Sequence, residues 1–437
     1  MTVGHGAFGQ PVGQPGGQPG GGPADHAGGT LLIHDVRIVD AETDIARGWL
    51  LADASGILRL GEGPAPEVPV GCQRMCGGGR LLTPGLIDMH SHGGGGGSFS
   101  GGPAEIATAL AATAAHGVTR SMLSLVTSSA ETIVSELQEI AALAEADSAA
   151  GAGTGGPGAG EGTAAGKVSG AGILGVHLEG PFISPEKAGA HDSELMQHPT
   201  PELIDRFADA GAGWLRCFTI APELPGALDS ISHAVERGIR MAVGHTTADY
   251  ATTREAFDAG ATILTHAFNA MPGIHHRAPG PIIAALEDER VCVELILDGM
   301  HVLGPVAAQL WRSCPGRLAL ITDAMSAAGF RDGEYVLGAL PVTVKDGLAT
   351  LTGTQTIAGS TLTLDAAVRR ALTLGIGLQE AVAAATSVPA AGLGISARHG
   401  SCAPGQAADF VLWDDDMQVS GVWRDACEIR RETECAS

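Results

Sequence analysis

His90-Ser91-His92 sets two imidazoles two residues apart at the close of the short apolar run Leu86–Met89. Residues i and i+2 of an extended strand share a face. Both rings therefore aim into one volume, and the glycines from Gly93 to Gly97 put no side chain in the way. Two neutral imidazoles converging at a strand end suit a divalent cation such as zinc. Capping the strand and bonding a neighbouring loop is the other use of either ring. Later apolar runs close in the same manner: His177-Leu178-Glu179-Gly180-Pro181, Gly244-His245, Thr265-His266, Asp298 with His301 beyond it, and Thr322-Asp323. A polar cap accounts for any one of these. Five or six together point to a metal-centred hydrolytic site. His177 shares the face of Glu179 but lies deeper, which reads as a supporting or core position.

A second cluster follows the sixth run. The loop Thr265–Gly280 carries His275, His276 and Arg277, and the Arg277 guanidinium could grip a phosphate as a fork or simply stand in solvent. Other chemistries lack their signatures. There is no G-x-S-x-G elbow for a serine nucleophile and no G-x-x-x-x-G-K-[ST] for a nucleotide. No lysine closes an apolar run, which argues against Schiff-base chemistry and against a carbamylated-lysine metal bridge; Glu179 is the substitute carboxylate.

What must position these groups is a set of eight apolar runs: Leu86–Met89, Val118–Val126, Ile173–Leu178, Leu215–Ile220, Met241–Val243, Ala261–Leu264, Val291–Leu297 and Leu318–Ile321. Helical stretches such as Ala104–Ala115, Ala130–Ala146 and Thr252–Ala259 separate them. Continuous apolar strands alternating with helices indicate a parallel sheet covered on both faces, and eight of them suggest an α/β fold of the (β/α)8 barrel type over residues 84–395. Catalytic groups of such barrels gather at the C-terminal strand ends, where these residues fall. A doubly wound sheet is the alternative, but no G-x-G-x-x-G sits at a strand-to-helix turn. Strand-like stretches at 30–83 and 396–437 are expected to pair into one small β-sandwich from both chain ends. Tyr335–Leu351, with Lys345-Asp346-Gly347 at its centre, reads as an inserted hairpin. Residues 1–29 are Gly/Pro-rich and expected to be disordered, and 148–170 reads as a flexible insertion.

A formal charge of -23 excludes duplex nucleic acid and anionic membrane as general partners. An anionic substrate would need a local cationic patch. Apolar residues are 44% but aromatics only 4%, so the core must be built from Ala, Val, Leu and Ile. No window of 18 apolar residues suggests a membrane span, and the N-terminus lacks the pattern of a secretory signal. Cys72 and Cys76 form a C-x3-C pair without a second thiol pair at structural-zinc spacing. Reduced thiols in a cytoplasmic protein are expected.

Together the motifs resemble the N-acetylglucosamine-6-phosphate deacetylases, a family of the metal-dependent amidohydrolase superfamily. The matching stretches are PGLIDMHSHGGGG, GVHLEGPFISPEKAGAHD, GHTTADY, THAFNAMPGIHHRAPG, DGMHV, LITDAMSAAG and TIAGS, with GSCAPGQAADFVLWD resembling the return strand of the superfamily. The resemblance implies that Glu179, His245 and His266 bind the main metal, and that His90 and His92 support a second ion. One or two divalent ions are thus implied, zinc first, with Fe2+, Mn2+ or Co2+ as alternatives. Asp323 matches the catalytic acid/base, and His191 the group that contacts the acetamido carbonyl. Asn269, Ala270, Arg277 and His301 match positions at the sugar phosphate, while Ala190 and Ile357-Ala358-Gly359 line the sugar. Ala278 departs from the glutamate often found beside the arginine. The implied reaction turns N-acetyl-D-glucosamine 6-phosphate into D-glucosamine 6-phosphate and acetate, in amino-sugar catabolism and cell-wall sugar recycling. The implied assembly is a homodimer in which a neighbouring subunit helps hold the phosphate. Deacetylation of another phosphorylated N-acetyl amino sugar and cyclic-amide hydrolysis are the enzymatic alternatives. A non-catalytic scaffold would have lost a ligand or Asp323, and a sugar-phosphate sensor would need a further module.

Overall fold

A computed structural model describes residues 29–152 and 170–431. The rest of the expected tail and of the expected insertion lies outside the described residues. Eight strands run parallel in sequence order: β1 (Leu86–Asp88), β2 (Val118–Val126), β3 (Gly172–Glu179), β4 (Leu215–Ile220), β5 (Arg240–Val243), β6 (Ile263–Leu264), β7 (Cys292–Ile296) and β8 (Leu318–Ile321). Nearly all their residues are buried, as expected of strands covered by helices outside and by each other's side chains inside. The ladder is open between β8 and β1, and the seam is stitched just beyond the strands. Asp323 N–H donates to the His90 carbonyl at 2.9 Å and His92 N–H to that of Ala324 at 2.8 Å. The Asp88 carboxylate accepts the Thr322 hydroxyl at 2.6 Å. Closure of the barrel and the meeting of His90 and His92 with Asp323 are one event.

Capping residues start several of the helices. The Asp249 side chain accepts from Thr252 N–H at the head of Tyr250–Asp258, and Thr200 from Leu203 N–H at the head of Pro201–Ala210. The second barrel helix runs Ala130–Ala152, past the expected end at Ala146, because Ser148, Ala149 and Ala150 continue it without a proline.

Strands from both chain ends meet in one hydrogen-bonded sheet. It forks at Leu31–Val39, which pairs with Asp44–Asp53 on one edge. Its other edge is divided between Gln73–Cys76 and Leu81–Pro84. Phe410–Trp413 extends the sheet from Leu81–Pro84, and Cys427–Arg431 is a last strand the sequence pattern did not announce. This sheet has its own core, including Ile33, Leu50, Phe410 and Trp423. Arg120 of β2 pins it to the barrel through Asp409, at 2.7 and 3.1 Å, and Asp425.

The expected hairpin is a three-stranded meander, Gly333–Leu337, Leu340–Lys345 and Leu348–Leu351. Asp346 and Gly347, both at positive φ, turn its second hairpin rather than its centre. Its apolar face (Leu337, Val342, Val344, Ala349) packs with Val126, Ala190, Met325 and Ala358, which props up one wall of the site. The seven described cysteines are unpaired. Among the described residues no helix is long and apolar enough to cross a membrane.

Candidate active site

Three of the residues singled out at strand ends carry left-handed backbone: His245 at φ 46°, His266 at φ 24° and Asp323 at φ 48°. Non-glycine residues rarely adopt such angles, and each costs on the order of 1–3 kcal/mol, a strain typical of functional positions. The bend turns each side chain back over the barrel mouth. Glu179, the last residue of β3, lies at the centre. Its Oε1 stands 2.9 Å from His266 Nε2, 3.2 Å from His245 Nε2 and 3.4 Å from His90 Nε2. Its Oε2 is 3.0 Å from His92 Nε2 and 3.5 Å from His191 Nε2. Asp323 Oδ1 is 3.2 Å from His92 Nε2 and 3.5 Å from His90 Nε2. All of these side chains are buried.

Which ring nitrogen carries the proton follows from the outer contacts. His92 Nδ1–H donates to the Ser124 carbonyl at 3.0 Å, and His245 Nδ1–H to that of Lys187 at 2.8 Å. His90 Nδ1–H donates to the Glu294 carboxylate at 3.1 Å. The Nε2 lone pairs of these three rings are thereby turned inward. His245 and His266 Nε2 lie only 3.0 Å apart, and His90 Nε2 is buried without a hydrogen-bond partner. Converging lone pairs around a carboxylate are what a divalent cation fills, so the residues fit a metal. They fall into two groups that share Glu179: His90, His92 and Asp323 on one side, His245 and His266 on the other. His191 reaches the second group but behaves differently. Its Nδ1 accepts Thr127 N–H at 3.1 Å, so the neutral ring bears its proton on Nε2 and is a donor rather than a ligand.

The electrostatics agree. Burial opposes a charge on Glu179, but His90 and the close ring nitrogens of His191, His245 and His266 prevail and hold its carboxyl well below the usual range. Burial likewise opposes protonation of His92, yet Asp323 and Glu179 push it up to about 9 with no cation present. Burial pulls His191 down to about 4, which keeps it neutral. His177 is a neutral core residue under the site, between Ser124 Oγ at 2.9 Å and Thr219 Oγ1 at 2.8 Å, as its depth in the strand suggested.

A cavity of about 320 Å³ opens over these groups. Among the expected substrate-contacting residues, Ala190, Asn269, Ala270, His301, Ile357 and Gly359 line it. Asn269 Nδ2 is oriented by the His266 carbonyl at 3.2 Å, and His301 by Asp298 at 2.7 Å. Gly359, at φ 60°, lies so close that a Cβ would stand 3.1 Å from the Asp323 carbonyl. The next residue, Ser360, bonds that carbonyl through its N–H at 2.7 Å. Two of the expected residues lie outside the lining of this subunit's own cavity. Ala358 does not line the cavity: it is fully buried, turned into the core of the meander. Arg277 does not line it either, because its loop carries the guanidinium onto His276 Nε2 at 2.7 Å. A lysine that does line the cavity is Lys187, in the turn Pro185–Lys187 after β3. Sequence reasoning passed over it, although it is one of few lysines in an acidic chain and stands four residues before His191. Glu294 was also missed, folded into an apolar run; a lone carboxylate inside CVELI was the available signal.

The model of the amidohydrolase family matches residues 81–429. The N-acetylgalactosamine-6-phosphate deacetylase of Escherichia coli O157:H7 is 37% identical over 346 residues, covering 78% of this chain and 86% of its own. The N-acetylglucosamine-6-phosphate deacetylase of Mus musculus is 36% identical over 410 residues, 91% of each chain. Among solved structures, an aspartate-to-alanine mutant of the Mycobacterium smegmatis N-acetyl-D-glucosamine-6-phosphate deacetylase, in complex with N-acetyl-D-glucosamine-6-phosphate, superposes with a TM-score of 0.83. It is 38% identical and covers 92% of this chain and 100% of that one. The chain belongs to the amidohydrolase family and, within it, to the N-acetylglucosamine-6-phosphate deacetylases.

Proposed function

We propose that this protein hydrolyses the acetamide of N-acetyl-D-glucosamine 6-phosphate to D-glucosamine 6-phosphate and acetate, in amino-sugar catabolism and cell-wall sugar recycling in the cytoplasm. The observation that carries this reading is the convergence, in one cavity, of inward imidazole lone pairs around Glu179, the Asp323 carboxylate beside them and a neutral Nε2–H donor at His191.

An acetamide resists water because water is a weak nucleophile and an amine a poor leaving group. Glu179, His245 and His266 would hold the main ion, with His90 and His92 for a second; zinc suits these nitrogen and oxygen donors first, and Fe2+, Mn2+ or Co2+ are the alternatives. A divalent ion supplies polarisation of the carbonyl and lowers the pKa of a water from 15.7 to about 7. Asp323 takes the proton of the attacking water and delivers it to the nitrogen as the C–N bond breaks. His191 donates Nε2–H to the oxygen that gains charge as water adds. His301, Asn269 and Lys187 receive the phosphorylated end, and Ala190, Ile357 and Gly359 confine the sugar.

Arg277 serves the cavity of a partner in a homodimer. This accounts for its place outside its own cavity, and exposed Ile274, Met300 and Leu303 on the loops after β6 and β7 supply apolar surface for the contact. The galactosamine epimer is a second substrate reading, favoured by the 37% identity to the Escherichia coli relative. The test is a free-amine assay on both epimers and on unphosphorylated N-acetylglucosamine, before and after chelation, with Asp323→Asn as control. Chelator-sensitive release from the phosphorylated glucosamine substrate is expected. No release from either phosphorylated epimer, or near-normal turnover by the metal-replete Asp323→Asn protein, would sink it.

A further inference from the structure

We infer that Glu294 is a positioning residue for the second ion, fixing His90 so that its Nε2 can ligate. The inference rests on the metal-dependent reading of the site and goes beyond it to a residue outside the ligand set.

Glu294 sits mid-strand in β7, between Val293 and Leu295, and is 2% exposed. A carboxylate in a barrel interior costs several kcal/mol unless compensated. Among the described residues no lysine or arginine forms an ion pair with it; its ion-pair partner is His90. One oxygen, Oε2, does two things. It accepts His90 Nδ1–H at 3.1 Å and the backbone N–H of His266 at 3.2 Å. A single atom thus braces one ring from each half of the site.

The anchoring of the other rings is different in kind. The Nδ1–H groups of His92 and His245 go to backbone carbonyls, which no side-chain change removes. His266 Nδ1 is buried without a hydrogen-bond partner, so among these rings His90 alone is held by a side chain. Its far nitrogen, buried and without a hydrogen-bond partner, faces Glu179 Oε1 at 3.4 Å and Asp323 Oδ1 at 3.5 Å. Without the Glu294 bond the ring could rotate or shift its proton to Nε2, and the lone pair would be lost to an ion. Charge points the same way. Glu179, Asp323 and Glu294 bring three carboxylates into one buried cluster. One divalent ion leaves it negative, and a second relieves it. Partners that orient a metal-bound imidazole typically matter 10–100-fold in affinity.

The experiment is a titration of the metal-free full-length protein with Co2+, followed by visible absorption and by bound-metal analysis, with no sugar present. The wild type should take two ions per subunit. Glu294→Gln is nearly isosteric and keeps an oxygen acceptor for both N–H groups, but it loses the charge that strengthens the His90 bond and makes Nε2 the better ligand. It should bind the first ion normally and the second roughly 10–100-fold more weakly. Glu294→Ala should lose the second ion, and in a His90→Ala background Glu294→Gln should change nothing further. Three results would overturn the inference: one ion on the wild type, an unchanged second step in Glu294→Gln, or equal weakening of both steps. A protein that follows the expected titration yet releases no acetate refutes the deacetylase reading and leaves this one standing.

Discussion

Replacing His191 by Phe isolates the donor proposed to meet the reacting carbonyl. The ring is 7% exposed, its Nδ1 is occupied by Thr127 N–H at 3.1 Å, and its Nε2–H points into the site 3.5 Å from Glu179 Oε2. Burial holds its pKa down to about 4, so from about pH 5 upward the ring is neutral and its donor always available. Phe keeps most of the volume and removes the donor. Loss of one preorganised donor to a developing oxyanion costs roughly 2.7–4 kcal/mol, or 10²–10³ in kcat. Charge on that oxygen exists only in the transition state, so KM should barely move. The same change strands the buried Thr127 N–H, a separate stability loss of about 1–3 kcal/mol. Melting is therefore recorded first, and kcat and KM are measured by amine release well below the transition, across about pH 5–9. The expected result is a pH-independent fall in kcat of about 10²–10³ at constant KM. A rise in KM with kcat within tenfold of wild type would refute the assignment and make His191 a binding residue.

Lys187→Met should raise KM for the phosphorylated sugar by about tenfold or more, the worth of a charged hydrogen bond, and leave the unphosphorylated sugar unaffected in the same assay. If Arg277 serves the partner, mixing Arg277→Ala with Asp323→Asn protomers should regenerate one intact site per hybrid dimer; activity no better than the Arg277→Ala parent would show that the arginine serves its own subunit. Burial opposes charge on His301, but Asp298 prevails and raises its pKa above the usual histidine value. The cation and its share of stability are therefore complete below that usual value and lost as pH rises through the raised one. Affinity for the phosphorylated sugar should fall over the same window, measured as KM against pH, and His301→Gln should abolish the step. Arg120→Met takes the arginine from buried Asp409, leaving it only His399 at 3.5 Å and the Asp425 N–H, and should cost about 3–5 kcal/mol in denaturant unfolding, with the metal titration unchanged.

The positions of the converging imidazoles and carboxylates were legible because a parallel barrel runs every strand the same way. Any polar residue closing an apolar run therefore arrives at one rim, and Glu179, His245, His266 and Asp323 could be found from order alone. The HxH pair was legible from the two-residue period of a strand. What the chain order could not carry was facing and reach. Ala358 and Ile357 are neighbours in one loop, yet only Ile357 turns to the cavity, because the meander claims Ala358 for its core. Arg277 matched a phosphate position by sequence, but loop geometry holds it on His276. Glu294 was averaged into an apolar run, and its role rests on His90, 204 residues away. Sequence alone thus determined which functional groups this protein owns and the rim on which they meet. Tertiary structure decided which nitrogen of each ring faces inward and which cation reaches the cavity, because those are set by contacts between residues that only folding makes neighbours.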